Sequence, residues 1–254
     1  MEIRFDNQVV LITGASTGIG AAIARAFGAA GANVVVHYNS SKNAAQTVAH
    51  DVETGGGKAL LVQADVTDFE QLRALVEQTQ EGFGRIDILI NNAGSLIKRQ
   101  PVVEMPDQTY REIIDVNLTS VFYACKLIVP IMQQQGRGNI INVTSVAARN
   151  GGGGGSILYA SSKGAVSTFT RGLAKELVSA NIRVNAIAPG FISTPFHERF
   201  TPTEMAQAQI GTIPMGRPGR PEECVGPVFF LASDAMSSYV TGQIIEVNGG
   251  QLMP

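Results

Sequence analysis

The 254-residue chain has no tryptophan, two cysteines and three histidines. Cys125 and Cys224 lie far apart in segments that read as helices, which argues against a disulfide framework or a zinc site and predicts buried, inert thiols. His37, His50 and His197 have no acid or cysteine at ligand spacing, so no metal is expected, and His50 and His197 read as surface residues. Charged residues make up 16% of the chain and the net charge is −2. Lysine and arginine are scattered rather than blocked, so the footprint of a nucleic-acid or anionic-membrane partner is missing. Met1-Glu2-Ile3-Arg4-Phe5-Asp6 carries acids where a secretion signal needs a basic segment, and the apolar run Val9 to Ile12 is too short to cross a bilayer. The expected location is cytoplasmic.

Hydrophobic residues account for 44%, ample for a buried core, and no break in composition or long linker divides the chain, so residues 1–254 read as a single domain. Seven short apolar runs rich in valine and isoleucine read as buried strands: Gln8 to Thr13, Asn33 to His37, Ala59 to Gln63, Ile86 to Ile90, Asn139 to Val143, Arg183 to Ile187 and Ile244 to Val247. Between them, Ile19 to Ala30, Phe69 to Phe83, Gln108 to Met132 and Ser156 to Leu177 have helical spacing. Gly31, Gly55 to Gly57, Gly136 and Gly138 punctuate the returns. The alternation predicts an α/β fold, a doubly wound, seven-stranded parallel sheet of Rossmann type in three α/β/α layers.

Two motifs carry chemistry. Gly14-x-x-x-Gly18-x-Gly20 ends the first strand and opens the first helix, where a parallel sheet offers backbone N–H groups and a helix dipole to a dinucleotide pyrophosphate. In Tyr159-Ala160-Ser161-Ser162-Lys163 a helix sets phenol and ammonium on one face, at i and i+4. A cation there is expected to lower the phenol pKa and make Tyr159 a general acid/base. Five consecutive glycines, Gly151 to Gly155, precede this helix, as a flexible loop or as bare backbone that lets a substrate approach.

These motifs, with Asp65-Val66, Asn91-Asn92-Ala93-Gly94, Pro189-Gly190 with Thr194, and Asn117, Ser145, Tyr159 and Lys163, resemble the short-chain dehydrogenase/reductase family over essentially the whole length. The resemblance implies that Tyr159 exchanges a proton with the substrate oxygen while hydride moves between carbon and nicotinamide, that Ser145 binds that oxygen, that Lys163 lowers the Tyr159 pKa and binds the nicotinamide ribose, and that Asn117 holds a water joining Lys163 to solvent. The cofactor set it implies is Gly14, Ser16, Thr17, Gly18, Ile19, Gly20, His37, Tyr38, Asn39, Ser40, Asp65, Val66, Asn91, Ala93, Gly94, Tyr159, Lys163, Pro189, Gly190, Ile192 and Thr194. The second strand ends His37-Tyr38-Asn39-Ser40-Ser41-Lys42. With no acid there to repel a 2′-phosphate and with His37 able to donate to it, NADP is favoured over NAD, although Thr17 replaces the basic residue of many NADP-dependent relatives and leaves dual use open.

Lys98-Arg99 and Arg149 follow the fourth strand and Ser145, either as cations that clamp a substrate carboxylate or as a solvated basic loop. Residues 191–216 resemble the family's mobile lid, with His197 or Arg199 as candidate substrate contacts, so the substrate set is Ser145, Arg149, Tyr159 and His197. The leading expectation is oxidation of a sugar, sugar acid or polyol, or reduction of the matching carbonyl. A 3-oxoacyl-carrier-protein reductase is the alternative, and a non-catalytic dinucleotide sensor the third reading. The long apolar segments Gln108 to Met132 and Ser156 to Leu177 predict pairing across a two-fold axis, and the resemblance extends this to a homotetramer with the last strand in a second interface.

Overall fold

The computed structural model describes residues 3–253, so Met1, Glu2 and Pro254 lie outside the described residues. Seven parallel strands form one sheet in the order β3-β2-β1-β4-β5-β6-β7. They are β1 (Val9–Ile12), β2 (Asn33–Tyr38), β3 (Lys58–Gln63), β4 (Ile88–Asn91), β5 (Gly138–Val143), β6 (Ile182–Pro189) and β7 (Ile244–Val247). The helices in chain order are α1 (Gly18–Ala29), α2 (Lys42–Thr54), α3 (Phe69–Phe83), α4 (Asp107–Ile114), α5 (Ser120–Gln135), the turn α6 (Ala147–Asn150), α7 (Ile157–Leu177), α8 (Pro195–Phe200), α9 (Thr203–Gly211), α10 (Val225–Ala232) and the turn α11 (Asp234–Ser237).

Burial follows the two-residue period of a strand. Val10 and Ile12 enter one core with Ile23, Phe27, Val48 and Val228, while Val9 and Leu11 enter the other with Leu72, Leu75, Ile128 and Val166. Both faces of β1 are therefore dry, which is why it reads as a continuous apolar run rather than an alternating one. Phe5, Phe27 and Phe229 close one end of the first core with ring centroids 4.6–5.0 Å apart. Local chemistry sets the helix limits. Asp68 caps α3 by accepting from the N–H groups of Glu70 and Gln71, and Gly84, at φ 74°, ends it in the left-handed conformation.

The segment Gln108 to Met132 is not one regular helix. A π-helical turn, Asp115–Thr119, joins α4 to α5. Its cause is Asn117, whose side-chain amide donates to Ile113 O at 2.8 Å and to Ser95 O at 2.6 Å and accepts from Ser95 N at 3.1 Å. By length and composition the combined segment could cross a membrane, with a mean hydropathy of 1.4. Here it buries Val121, Ala124, Cys125, Ile128 and Met132 against the sheet. The strand order reverses between β1 and β4, and the loops leaving those strands' carboxyl ends diverge there to leave a crevice.

Candidate active site

A cleft of about 580 Å³ occupies that crevice. Its floor at one end is the glycine loop, held by a short network. Thr13 Oγ1 accepts from the N–H groups of Asn92 and Ala93, both at 3.0 Å, and Asn92 Nδ2 donates to Thr13 O and Gly14 O, both at 2.9 Å. His37 Nδ1 accepts from Gly14 N at 2.9 Å while Nε2 meets Ala64 O at 3.0 Å, which fixes the Nε2–H tautomer. Gly14 and Gly18 adopt φ of 65° and 55°, a conformation that keeps side chains off the loop. Thr17 provides no side-chain cap for α1, so the first N–H groups of that helix are left for a ligand. Uncapped helix and bare loop fit a dinucleotide phosphate. Ser16, Thr17, Gly18 and Ile19 line this end, followed by Asn39 and Ser40 and by Asp65 and Val66.

At the other end the protein assembles proton-transfer groups. Ser145 follows β5, and its Oγ accepts from Ala147 N at 3.1 Å, so its hydrogen is free to donate. It bonds the Tyr159 phenol and favours the phenolate, but burial outweighs this and pushes the phenol up to about 12. Lys163 is 3% exposed, its Nζ donates to Val143 O at 2.8 Å, and desolvation pulls the ammonium down to about 8. Lys163 Nζ lies 5.9 Å from the centre of the Tyr159 ring. Burial outweighs the help expected from the neighbouring cation, so the phenol stands above its ordinary value rather than below it. A Cβ on Gly94 would sit 2.8 Å from Asn117 Oδ1 and 3.1 Å from Lys163 Nζ. Only glycine leaves both groups room at that point.

Ala93, Gly94, Pro189, Gly190, Ile192 and Thr194 line the same cleft. Five expected contacts do not. Gly20 lies beneath the loop, where an added Cβ would collide with Gly14 O. Tyr38 packs in the core, as the last strand residue facing inward. Asn91 is buried, with Nδ2 donating to Asn142 Oδ1 at 2.9 Å; Asn92, one residue on and outside the strand, is the one that braces the loop. Asn117 is fully buried beside the cleft rather than on its wall. Arg149 is exposed and outside the cleft, with its charge acting on Glu246. His37 reaches the cleft edge, but both ring nitrogens are engaged, so it cannot donate to a 2′-phosphate.

The lid residues also differ from expectation. His197 is no surface residue: it lines the cleft, stacks on Phe191 at 3.8 Å, and is held near pKa 4 by burial and by the charge of Arg99. Arg199 is exposed and lies over Phe200. Arg99 lines the cleft, but its guanidinium is spent on protein acceptors. Asn150, Phe196, Gln209 and Gln251 complete the wall; they lie in loops and lid, where spacing in sequence carries no periodic signal. Cys125 and Cys224 are buried, and burial pushes both thiols up to about 12.

A phosphate cradle at a sheet's switch point, facing a serine, a tyrosine and a buried lysine, defines a nucleotide-dependent oxidoreductase. Residues 14–251 match the family model described as enoyl-(acyl carrier protein) reductase. A 3-oxoacyl-(acyl-carrier-protein) reductase of Synechocystis sp. is 42% identical over 246 residues, covering 97% of each chain. One from Thermotoga maritima is 42% identical over 248 residues, covering 98% of this chain and 99% of the other. Among solved structures, a putative NAD(P)-dependent gluconate 5-dehydrogenase from Beutenbergia cavernae with bound NADP superposes with a TM-score of 0.90 at 36% identity, covering 99% of each chain. The chain belongs to the short-chain dehydrogenase/reductase family and is an NAD(P)-dependent oxidoreductase.

Proposed function

We propose that the protein reduces a 3-oxoacyl thioester to the 3-hydroxyacyl thioester with NADPH. The observation that carries this is the substrate end of the cleft: Leu96, Val146, Phe191 and Phe196 provide an apolar wall, while Arg149 lies outside and Arg99 is committed to protein acceptors. Lys98 is likewise exposed and away from the cleft lining, which leaves the sugar-acid reading without support from these three cations. The likeness to the two reductases supports the same reading.

A bound NADPH, with its phosphates against Gly14 to Ile19, would supply the hydride for the carbonyl carbon. Tyr159 gives its phenolic proton to the carbonyl oxygen, and a phenol kept protonated by burial suits that direction. Ser145 donates its free hydrogen to the same oxygen and shares the developing charge. Lys163 holds a positive charge behind the phenol as its proton leaves. NADPH preference rests on Asn39, Ser40 and Ser41, which meet the cleft where α2 begins, because hydroxyls and a helix N-terminus favour an added phosphate. We place the enzyme in the cytoplasm as a homotetramer, with Phe122 on α5, Ile157 on α7 and Tyr239 before β7 left exposed for neighbouring subunits.

A second reading, oxidation of a sugar, sugar acid or polyol, is favoured by the amides of Asn150, Gln209 and Gln251 in the wall and by the gluconate 5-dehydrogenase likeness. NADPH oxidation with acetoacetyl-CoA, set against NADP+ and NAD+ reduction with gluconate and a panel of polyols, separates the two. The expected result is turnover of the thioester, lost at least ~100-fold in Tyr159→Phe with NADPH affinity kept. Turnover confined to the sugar panel would install the second reading, and a lower Kd for NADH than for NADPH would reverse the cofactor assignment.

A further inference from the structure

Three segments distant in sequence meet above the substrate end of the cleft: the loop after β4, the glycine run before α7, and the lid helices α8 and α9. One side chain joins them. Arg99 Nε donates to Phe200 O at 2.5 Å, Nη1 donates to Gly153 O at 2.7 Å and to Gly154 O at 3.2 Å, and Nη2 reaches Thr201 Oγ1 at 3.4 Å. Around this hub the contacts are close. Gln100 N donates to Gly155 O at 2.9 Å. A Cβ on Gly155 would lie 2.6 Å from Gln100 N, and one on Gly154 would lie 2.6 Å from Met205 Cε. Thr201 Oγ1 also meets His197 Nδ1 at 3.1 Å, and His197 stacks on Phe191.

The glycine run is therefore neither a loose loop nor simply bare backbone. Gly151, Gly152, Gly154 and Gly155 all have positive φ, which lets successive carbonyls turn toward one guanidinium. Gly152 and Gly153 face the cleft, so tying this run to the lid sets the width of the substrate space.

We propose that Arg99 is a positioning residue for the substrate: its guanidinium latches the glycine run to the lid and fixes the wall of the cleft's substrate end. A guanidinium suits the task because its donors lie in a planar fork that reaches several acceptors at once, whereas a lysine offers a point charge. The proposal rests on the reading that the carbonyl compound occupies this end, and it separates from the choice between thioester and sugar.

Hydrogen exchange on the full-length protein, without substrate, tests the latch directly in Arg99→Ala. Peptides over 151–155 and over 195–205 are expected to exchange at least ten-fold faster, with peptides of β1 and the glycine loop 14–20 unchanged. Kinetics with acetoacetyl-CoA, or with gluconate if only that is turned over, are expected to show KM raised at least five-fold, with kcat and NADPH Kd within two-fold. Arg99→Lys is expected to recover part of both effects, and carries the same readouts if the alanine variant does not fold. Unchanged exchange, loosening of only one of the two segments, or a general rise across the sheet overturns the latch. Loosening of both with KM unmoved overturns the positioning role. Failure of acetoacetyl-CoA as a substrate would count against the thioester reading alone.

Discussion

Lys163→Met is expected to make the protein more stable and almost inactive. The ammonium is 3% exposed and its pKa falls from 10.5 to about 8 through desolvation. That fall corresponds to about 3 kcal/mol at neutral pH. Its sign is unfavourable to folding. Below pH 8 both folded and unfolded chains carry the charge, and the folded chain bears the full cost of burying it. Between pH 8 and 10.5 the folded chain sheds the proton while the unfolded chain keeps it, so the cost shrinks as pH rises, to about 1 kcal/mol at pH 10. Methionine occupies similar space, and its own cost is the bond to Val143 O at 2.8 Å, about 1 kcal/mol. The net gain is about 2 kcal/mol at pH 7, or about 4–8 °C in Tm for a chain of this size, vanishing near pH 10. Calorimetry of both proteins at pH 7 and pH 10 measures it, beside a kcat expected to fall about 100-fold or more. A variant less stable at pH 7, or a Tm difference indifferent to pH, would refute the assignment of Lys163 as a buried charge retained for chemistry.

Gly20→Ala places a methyl group against Gly14 O and Asn92 Nδ2; overpacking of about 1–3 kcal/mol and at least ten-fold weaker NADPH binding by fluorescence titration are expected, with weaker binding but unchanged Tm counting against a packing role. Burial lowers the His37 pKa below its ordinary value, in keeping with an Nδ1 that accepts from Gly14 N as only the neutral ring can. Since the unfolded chain takes up a proton below about 6.5 while the folded chain resists it, stability is present above that pH and lost as pH falls. His37→Phe, which orphans Gly14 N and Ala64 O, should weaken NADPH binding and remove the His37 share of this acid sensitivity, read as Tm at pH 7 and pH 5. For the assembly, light scattering at micromolar concentration should give four times the 26.8 kDa chain mass; a monomer would leave the exposed faces of α5 and α7 unexplained.

The fold was largely legible because its five inner strands, β2, β1, β4, β5 and β6, are buried on both faces and its helices are not. β7 and α3 fall at the residues their pattern predicts, and the remaining strand ends differ by a residue or two, as fraying ends do. Three features were not legible, each for a physical reason. α2 buries only Ala45, Val48 and Val52, too small and sparse a stripe to stand out by spacing. The π turn at Asp115–Thr119 depends on the bonds between Asn117 and Ser95, a contact across 22 residues that no local pattern encodes. The fate of the cations depended on acceptors elsewhere: Arg99 reads as a free charge until Phe200 O and Gly153 O are brought to it. Sequence reasoning finds residue types able to do chemistry, and tertiary structure decides which of them are left free to do it.

Tyr159 and Lys163 make that difference concrete. Spacing alone puts an ammonium near a phenol and suggests an easily formed phenolate. Burial shifts the two groups the other way, the phenol up to about 12 and the ammonium down to about 8, because each must abandon water to become or remain charged. At neutral pH the pair consequently holds both of its protons, which favours giving one to a carbonyl oxygen over taking one from an alcohol. In the alcohol-oxidising direction the bound cofactor would bring a positive charge to the cleft, and Tyr159 would give up its proton more readily beside it. The rate of carbonyl reduction should therefore stay level through neutral pH and decline above about pH 8 as Lys163 loses its charge, while alcohol oxidation should rise with pH over the same range. Parallel profiles in the two directions would show that another group controls the proton.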